Sequence, residues 1–220
     1  MAVLSLPHLE TITAQMSDLL TWLGRKAFLR RFYLGGGTAL ALQLGHRRSF
    51  DLDFFSEIDP VHKLTREKII TTLAKKNGQV IENADGNLLL LVDAIHVGFF
   101  SYGYALLEPG PEFQKIRLAS LIDLGLMKLD ALMGRGSRKD FFDLYALCQK
   151  IPLDTLLQAG ARKYPHMRDF ALMSVESMAS FENADRDVPF EMLIDVSWFA
   201  VRAFFIAQVK RLGKTWFWPG

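Results

Sequence analysis

Hydrophobic residues recur with two alternating periods, helical and strand-like, over the first part of the chain. Helical spacing of apolar residues predicts a helix over residues 8–31. Short apolar runs predict strands at residues 33–34 and 50–55, with a short helix over residues 38–44 between them. The chain therefore begins as a mixture of helices and strands.

The next segment has the pattern of one helix followed by three consecutive strands. The helix is predicted over residues 64–76, and an Asn-Gly pair ends it with good C-cap chemistry. The strands are predicted at residues 79–82, 88–92 and 95–100, and a hairpin turn joins the first two. The continuously apolar run at residues 88–92 is typical of a strand buried on both faces. These three strands predict a small antiparallel meander.

Helical spacing dominates the remainder of the chain after a last short strand at residues 116–118. Ser120 and Asp123 have the spacing of a capping box. Helices are predicted over residues 121–133, 138–150, 153–163, 167–178 and 190–212. We therefore expect an α+β (α/β) fold, in which a small mixed or antiparallel sheet is flanked by helices. Residues 1–150 would form the core, and residues 151–220 a helical C-terminal extension packed on it.

Composition narrows the classes of function. The 26 Lys and Arg against 24 Asp and Glu give a net charge of +2, so any contact with nucleic acid must come from a local patch. The single cysteine, Cys148, excludes an internal disulfide framework and indicates a reducing compartment. The N-terminus lacks the pattern of a signal peptide, and no apolar run approaches the length of a membrane span. We therefore expect a cytoplasmic protein without a membrane partner.

One stretch, residues 33–56, carries the candidate chemistry. Asp51 and Asp53 lie two residues apart in a predicted strand and therefore share one face. Two adjacent carboxylates repel each other unless a cation lies between them, and Mg²⁺ prefers such oxygen ligands. Gly36 and Gly37, in the glycine run upstream, and the N-terminus of the following helix suit binding of phosphate through backbone N–H groups. The alternative interpretation of the Asp pair is a solvated strand edge.

Two blocks of the sequence carry a family resemblance. The first is Gly36-Gly37-Thr38 followed by His46-Arg47-x-Ser49-x-Asp51-x-Asp53-Phe54-Phe55. The second is KLDALMGRGSRKDFFDLYAL at residues 128–147, where a Lys on one helix precedes Arg/Lys-Asp-Phe-x-Asp-Leu on the next. In this order the blocks resemble the motifs of the AbiEii/AbiGii toxin family, which belongs to the nucleotidyltransferase superfamily of DNA polymerase beta. The resemblance covers roughly residues 34–147 and implies a nucleotidyltransferase fold.

The resemblance implies an activity and its ligands. It implies transfer of a nucleoside monophosphate from a nucleoside triphosphate (NTP), with Mg²⁺ or Mn²⁺ as cofactor and RNA such as tRNA as the favoured acceptor. It also implies a toxin-like protein with a cognate antitoxin. Asp51 and Asp53 would be metal ligands and catalytic residues. Phosphate would be bound by Gly36, Gly37, Thr38, Arg47, Ser49 and Arg138.

The second block adds residues that each have a structural alternative. The resemblance implies that Lys128 neutralises triphosphate charge and that Asp140 is an active-site acid. Lys128 could instead extend its ammonium to solvent along an apolar helix. Asp140 and Asp143 could instead be acids at a helix N-terminus that the helix dipole favours. Beside an active-site Asp140, Asp143 could hold a neighbouring Arg. Arg138 could bind phosphate or RNA, or be solvated.

The sequence departs from such nucleotidyltransferases at the third carboxylate, which is expected on a neighbouring strand. The corresponding position in the predicted strand at residues 95–100 is Gly98. Asp93 could reach the site, Asp140 could substitute for the missing acid, or the metal site could be incomplete. The last possibility motivates an alternative function, a catalytically weak or inactive module of the same fold that binds a nucleotide or a protein partner.

Two aromatic segments also allow two interpretations each. Phe99, Phe100, Tyr102 and Tyr104 could stack on a base or pack in the core. The C-terminal Trp216-Phe217-Trp218 could tuck into the domain or, with the apolar last helix, meet a partner.

Overall fold

The chain divides into two units, one ending at Ser120 and the other beginning at Leu121. The computed structural model describes residues 3–217, with Phe217 described in its backbone only. The predicted division at residue 150 does not coincide with the boundary between these units, and it stays a prediction.

The first unit contains three α-helices and seven strands among its described residues. The helices are α1 (Ala14–Leu23), α2 (Gly36–Leu44) and α3 (Lys63–Leu73). The strands are β1 (Tyr33–Leu34), β2 (Asp51–Ser56), β3 (Gln79–Ala84), β4 (Asn87–Val92), β5 (Ile95–Ser101), β6 (Glu112–Phe113) and β7 (Ile116–Arg117). Short 3₁₀ turns lie at Leu9–Thr11, Ala27–Arg31 and Ala74–Lys76.

Five of these strands form a mixed sheet in the order β1-β2-β5-β4-β3, which confirms the predicted sheet. β3, β4 and β5 form the expected antiparallel meander. β2 pairs in parallel with β5, the outer strand of this meander, with Asp51 opposite His96 and Asp53 opposite Gly98. Because paired residues of neighbouring strands point to the same side of a sheet, this register determines which side chains surround the two acids.

The two faces of this sheet differ in burial. Leu52, Phe54 and Phe99 are fully buried on one face, where the rings of Phe28 and Phe32 pack edge-on against Phe99 at 5.9 and 5.3 Å. On the opposite face, alternate residues of β4 remain half-buried. The prediction that residues 88–92 are buried on both sides is therefore wrong, because only one face of β4 carries the packed core.

The N-terminal helix is shorter than predicted. Instead of spanning residues 8–31, α1 begins after Thr13, whose hydroxyl accepts a bond from the N–H of Met16 at 3.1 Å. It ends at Gly24, where a Cβ would lie only 2.1 Å from the carbonyl oxygen of Gln114. Such a close approach of two backbone segments requires glycine, and the chain continues from there into a 3₁₀ turn.

The second unit consists of helices joined by irregular segments in its described part. Its helices are α4 (Leu121–Gly134), α5 (Arg138–Cys148), α6 (Leu153–Lys163), α7 (Phe170–Ser177), α8 (Glu182–Arg186) and α9 (Trp198–Leu212), followed by a π-helical turn at Gly213–Phe217. The helix predicted over residues 190–212 begins later, because the hydroxyl of Ser197 caps α9 by accepting from the N–H of Ala200 at 3.1 Å. The sequence pattern did not predict α8.

This unit contains a buried ion pair and the single cysteine of the chain. Asp123, expected in a capping box, is fully buried on α4 and pairs with the equally buried Lys163 of α6 at 2.7 Å. Burial raises the pKa of the Cys148 thiol to about 12, so this cysteine stays protonated at neutral pH.

The C-terminal aromatic segment tucks inward at one residue. The indole of Trp216 donates to Asp154 at 3.2 Å, beside the guanidinium of Arg211. Trp218 lies outside the described residues.

Phe199 of α9 is 81% exposed, whereas Val201 and Phe205 of the same helix are fully buried. Within residues 3–217, no helix has the length and apolar character needed to cross a membrane.

Candidate active site

Asp51 and Asp53 stand on one face of β2, as predicted from their spacing. Leu52 and Phe54, which alternate with them, are fully buried on the other face. Phe50, which was expected beside these two residues, is instead 50% exposed because the strand begins only at Asp51. The buried side chains of Leu52 and Phe54 thus anchor β2 to the core, and the two acids project from the opposite face of the strand.

The glycine run lies directly against Asp53. The N–H of Gly35 donates to the backbone carbonyl of Asp53 at 2.9 Å. Gly36 has φ +62°, and a Cβ there would lie 2.5 Å from Oδ2 of Asp53. Both the left-handed backbone and the close approach require glycine at this position. The run therefore forms one wall around the Asp53 carboxylate.

The remaining residues of the first motif join the same wall. A Cβ on Gly37 would lie 2.2 Å from Nη2 of Arg47 and 3.4 Å from Oγ of Ser49. The hydroxyl of Thr38 lies 2.8 Å from Oγ of Ser49 and donates to the carbonyl oxygen of Asp51. The structure therefore brings together seven of the predicted residues, which are Gly36, Gly37, Thr38, Arg47, Ser49, Asp51 and Asp53.

Two positive features accompany the acids. The N-cap residue of α2 is Gly35, which has no side chain to bond the first N–H groups of that helix. Unbonded N–H groups and the helix dipole favour an anion at this end. Arg47 is only 4% exposed, and its Nη1 donates to the carbonyl of Arg48 at 2.8 Å. A buried cation beside glycine backbone suits a phosphate group.

The neighbouring strand does not supply a third acid. Gly98 of β5 is paired with Asp53, and His96 is paired with Asp51, with 3.3 Å between Nδ1 of His96 and Oδ1 of Asp51. Asp93 is exposed in the turn before β5. Across residues 3–217, no group of three His, Cys, Asp or Glu side chains is arranged to hold a metal ion.

The carboxylate pair nevertheless fits one divalent ion. Asp51 and Asp53 offer hard oxygen ligands from the same strand face, and the glycine wall leaves space beside Asp53 that a larger side chain would fill. Mg²⁺ typically takes one or two carboxylates and fills its other positions with water and substrate phosphates. The residues present therefore fit a single divalent ion.

The candidate residues of the second motif form a buried ion cluster within the second unit. Nζ of Lys128 lies 2.8 Å from Oδ1 of Asp140 and 2.6 Å from Oδ2 of Asp143. Arg135 and Ser137 also donate to Asp140, at 2.8 and 2.7 Å. Lys128 is 5% exposed, so it does not extend to solvent. Asp143 therefore pairs with Lys128, and its pairing with a neighbouring arginine stays a prediction.

The electrostatics of Asp140 follow from these partners. Burial opposes ionisation of its carboxyl group, but the charges and hydrogen bonds of Lys128 and Arg135 outweigh burial. They hold the pKa of Asp140 well below its usual range. Asp140 is therefore a carboxylate at every physiological pH.

Arg138 is engaged in packing. Its Nε donates to the carbonyl of Ala184 at 2.7 Å, and its Nη2 donates to that of Asp185 at 3.0 Å. The guanidinium also lies 5.3 Å from the centre of the Trp198 ring. These contacts join α5 to α8 and α9. The role of Arg138 in binding phosphate stays a prediction.

The sequence analysis proposed the acids and the glycine run, but it did not name His96 as a neighbour of Asp51. It named Phe100 as a possible base-stacking residue without placing its ring over Gly98, next to Asp53. The signal for both was the register between β2 and β5, which could not be read from either strand alone.

Solved structures share this arrangement of strands and helices. MenT4, a nucleotidyltransferase toxin from Mycobacterium tuberculosis H37Rv, superposes with a TM-score of 0.63 at 16% identity, covering 90% of this chain and 84% of its own. ANT(2")-Ia, solved with adenylyl-2"-tobramycin, superposes with a TM-score of 0.50 at 15% identity, covering 69% of this chain and 98% of its own. At such identities the likeness establishes the fold alone, which is the predicted nucleotidyltransferase fold.

Sequence comparison assigns the family. The profile described as "Nucleotidyl transferase AbiEii toxin, Type IV TA system" matches residues 18–195. An uncharacterized protein of Aquifex aeolicus (strain VF5) is 36% identical over 185 residues, which cover 81% of this chain and 86% of the relative. The chain therefore belongs to the AbiEii nucleotidyl transferase toxin family, as its two motifs indicated.

Proposed function

We propose that this protein transfers a nucleoside monophosphate from an NTP to an RNA acceptor such as tRNA, and that it requires Mg²⁺ or Mn²⁺. The observation that carries the proposal is that Gly36 lies against Asp53 while the adjacent Gly37 lies against Arg47 and Ser49. Groups suited to phosphate thus accompany the pair of carboxylates. Family membership supports the reaction class, and the acceptor is proposed from the resemblance of the motifs.

The residues of the chain have distinct parts in this reaction. Asp51 and Asp53 would hold the divalent ion, which when bound neutralises triphosphate charge and stabilises the departing pyrophosphate. The N–H groups at the start of α2 and the guanidinium of Arg47 would bind phosphate oxygens and orient the α-phosphorus. An acceptor hydroxyl attacks that phosphorus, its proton is released, and the bond to the pyrophosphate oxygen breaks.

Lys128 and Asp140 are proposed to serve the same reaction because they occupy the second family motif. Their contacts give a physical reason for a linked role. The ammonium of Lys128 is held by two carboxylates, so its position depends on Asp140 and Asp143. A cognate antitoxin is proposed as the partner from family membership. The single cysteine and the need for NTP support a cytoplasmic location.

The test is a transfer assay with matched variants. Purified protein is incubated with Mg²⁺, total bacterial RNA and each labelled NTP in turn, and the label in RNA is measured. We expect transfer by the wild type, and a loss of at least about 100-fold in Asp53→Ala, comparable to removal of one group that stabilises the transition state. Asp18→Ala, at an exposed acid of α1, is the control and should retain transfer.

One observation favours the second candidate, an inactive module that binds a nucleotide or a protein partner. Gly98 stands beside Asp53 at the position where a third carboxylate is expected. If folded wild-type protein transfers no label with any NTP and any RNA or protein acceptor, transfer is refuted and the binding module is favoured.

A further inference from the structure

The space beside Gly98 is filled by an aromatic ring. A Cβ on Gly98 would lie 2.3 Å from Cε2 of Phe100 and 3.5 Å from Oδ1 of Asp53. The ring of Phe100 therefore leans over Gly98 on the same side of the sheet as the Asp53 carboxylate. Any side chain at position 98 would displace this ring. An aromatic ring therefore lies next to Asp53 at the position where the third carboxylate was expected.

Phe100 belongs to a continuous row of rings, which we call the aromatic strip and define as Phe55, Phe100, Tyr102 and Tyr104. The ring centres of Phe55 and Phe100 are 5.3 Å apart, those of Phe55 and Tyr102 are 5.6 Å apart, and those of Tyr102 and Tyr104 are 5.3 Å apart. All four side chains are half-buried. The strip begins beside Asp53 and continues along the same face past the end of β5.

The opposite face of the same strands shows how aromatic residues pack when they serve the core alone. Phe54 and Phe99 alternate with the strip residues, stack at 5.1 Å and are fully buried. The strip has equally close ring contacts but keeps part of each ring open. Apolar surface left in water is unfavourable, so half-open rings beside the candidate acids are suited to a ligand that would cover them.

We propose that the aromatic strip is a nucleobase-stacking surface that continues from the Asp51–Asp53 pair. The proposal rests on the proposed function, because it takes the acids and the glycine wall as the place where phosphate groups bind. Phe55 lies two residues beyond Asp53, or about 7 Å along the strand. A base on the strip would therefore be joined through its sugar to a phosphate beside Asp53.

The chemistry that the strip recognises is the π-face of a base, which every nucleotide presents. Two sources can supply that base in this reaction, the NTP donor and the last nucleotide of the RNA acceptor. The strip has four rings, so it also has room for more than one base. Sequence tolerance is expected, because stacking on an aromatic ring does not read the edge of a base.

The experiment measures binding without transfer, so it does not depend on catalysis. Wild type, Phe100→Leu and Tyr102→Leu are titrated in EDTA with each of two probes, ATP and a fluorescein-labelled single-stranded RNA of about 12 nucleotides. Phe199→Leu makes the same change at an 81% exposed ring of α9 and is the matched control. Thermal unfolding of each variant establishes that it is folded.

Removal of a stacking ring weakens binding by roughly 5- to 150-fold per base, and we expect losses in this range for both strip variants. Loss for ATP alone identifies the donor base, loss for RNA alone identifies the acceptor base, and loss for both places both on the strip. Gly98→Ala provides a second route, since its methyl group would push the Phe100 ring aside. Gly98→Ala should weaken binding of the same probe that Phe100→Leu affects. It should have little further effect on binding when Phe100→Leu is already present.

The inference is overturned if folded strip variants bind both probes as tightly as Phe199→Leu, or if wild type binds neither probe. It is also overturned if Phe199→Leu weakens binding equally. Failure of the proposed function looks different, because wild type would then stack nucleotides in EDTA yet transfer no label when Mg²⁺ is supplied. If the strip variants keep both transfer and probe binding, the proposed stacking role of the strip is refuted, whereas the proposed transfer reaction is supported.

Discussion

The molecule holds two pairs of aspartates whose surroundings are opposite. Asp51 and Asp53 lie on a partly open strand face, and the Asp51 side chain is 52% exposed. Asp140 and Asp143 have 0% exposed side chains and enclose the ammonium of Lys128. The buried pair receives its cation from the protein, whereas the open pair is accessible to a cation from solution. The comparison shows that two acids close together in the sequence can be either open to solvent or enclosed around a cation of the protein, and that their spacing does not decide which.

The largest expected difference between the pairs is in stability. Lys128→Met should lower the free energy of unfolding by about 3–5 kcal/mol, because it leaves two buried carboxylates with less positive charge. Asp53→Asn should change it by no more than about 0.5 kcal/mol, since this side chain lies at a partly open surface. Urea unfolding of both variants at pH 7 measures the contrast. Equal losses would show that the open pair is also a structural cluster.

The next prediction compares the loss of transfer caused by Gly36→Ala, in the glycine wall, with that caused by Gly86→Ala, in a hairpin turn. Gly36→Ala should reduce transfer by about 100-fold, because its methyl group would displace the Asp53 carboxylate by a fraction of an ångström or more. Gly86→Ala is the control. Its φ is +81°, against +62° at Gly36, but the nearest atom to a Cβ there is 3.8 Å away. Both variants should lose about 1–2 kcal/mol of stability from the left-handed backbone.

If both glycine variants retain full transfer, the close contact between Gly36 and Asp53 has no part in the reaction. If both lose transfer equally, backbone strain alone explains the loss.

The smallest effect is a dependence of stability on pH. The pKa of Asp140 is depressed in the folded protein below its ordinary value of 3.8, so its stabilising contribution is present above about pH 4 and decreases as the pH falls further. Asp140→Asn should therefore unfold at a lower temperature than the wild type at pH 7, with a gap that narrows below pH 4. Thermal unfolding between pH 7 and 3 tests this, and a gap that stays constant would contradict it.

The sequence predicted well what is local in the chain. Gly36 and Asp53 belong to one short stretch, and strand alternation placed the two acids on one face without knowledge of the rest of the molecule. The mixed sheet was also predictable, because hairpin and helix signals occur in order along the chain.

Features that depend on pairing between distant residues were not predictable. Gly98 and Phe100 lie on the same face of β5, but only the register of β5 with β2 shows that they lie next to Asp53. Asp123 has the sequence position of a capping residue, and only tertiary packing reveals its pairing with Lys163 of α6. The contact of Arg138 with the carbonyl of Ala184 likewise depends on α8, a helix of five residues that the sequence pattern did not predict.

The inert thiol of Cys148 has a practical consequence for spectroscopy. A thiol whose pKa is about 12 is almost entirely in its unreactive protonated form at neutral pH. A cysteine introduced at an exposed position would therefore react selectively with a maleimide dye or a spin label, without removal of the native residue. Two such labels, one at Asp18 and one at Lys139, would report the distance between the two units while NTP and RNA are added.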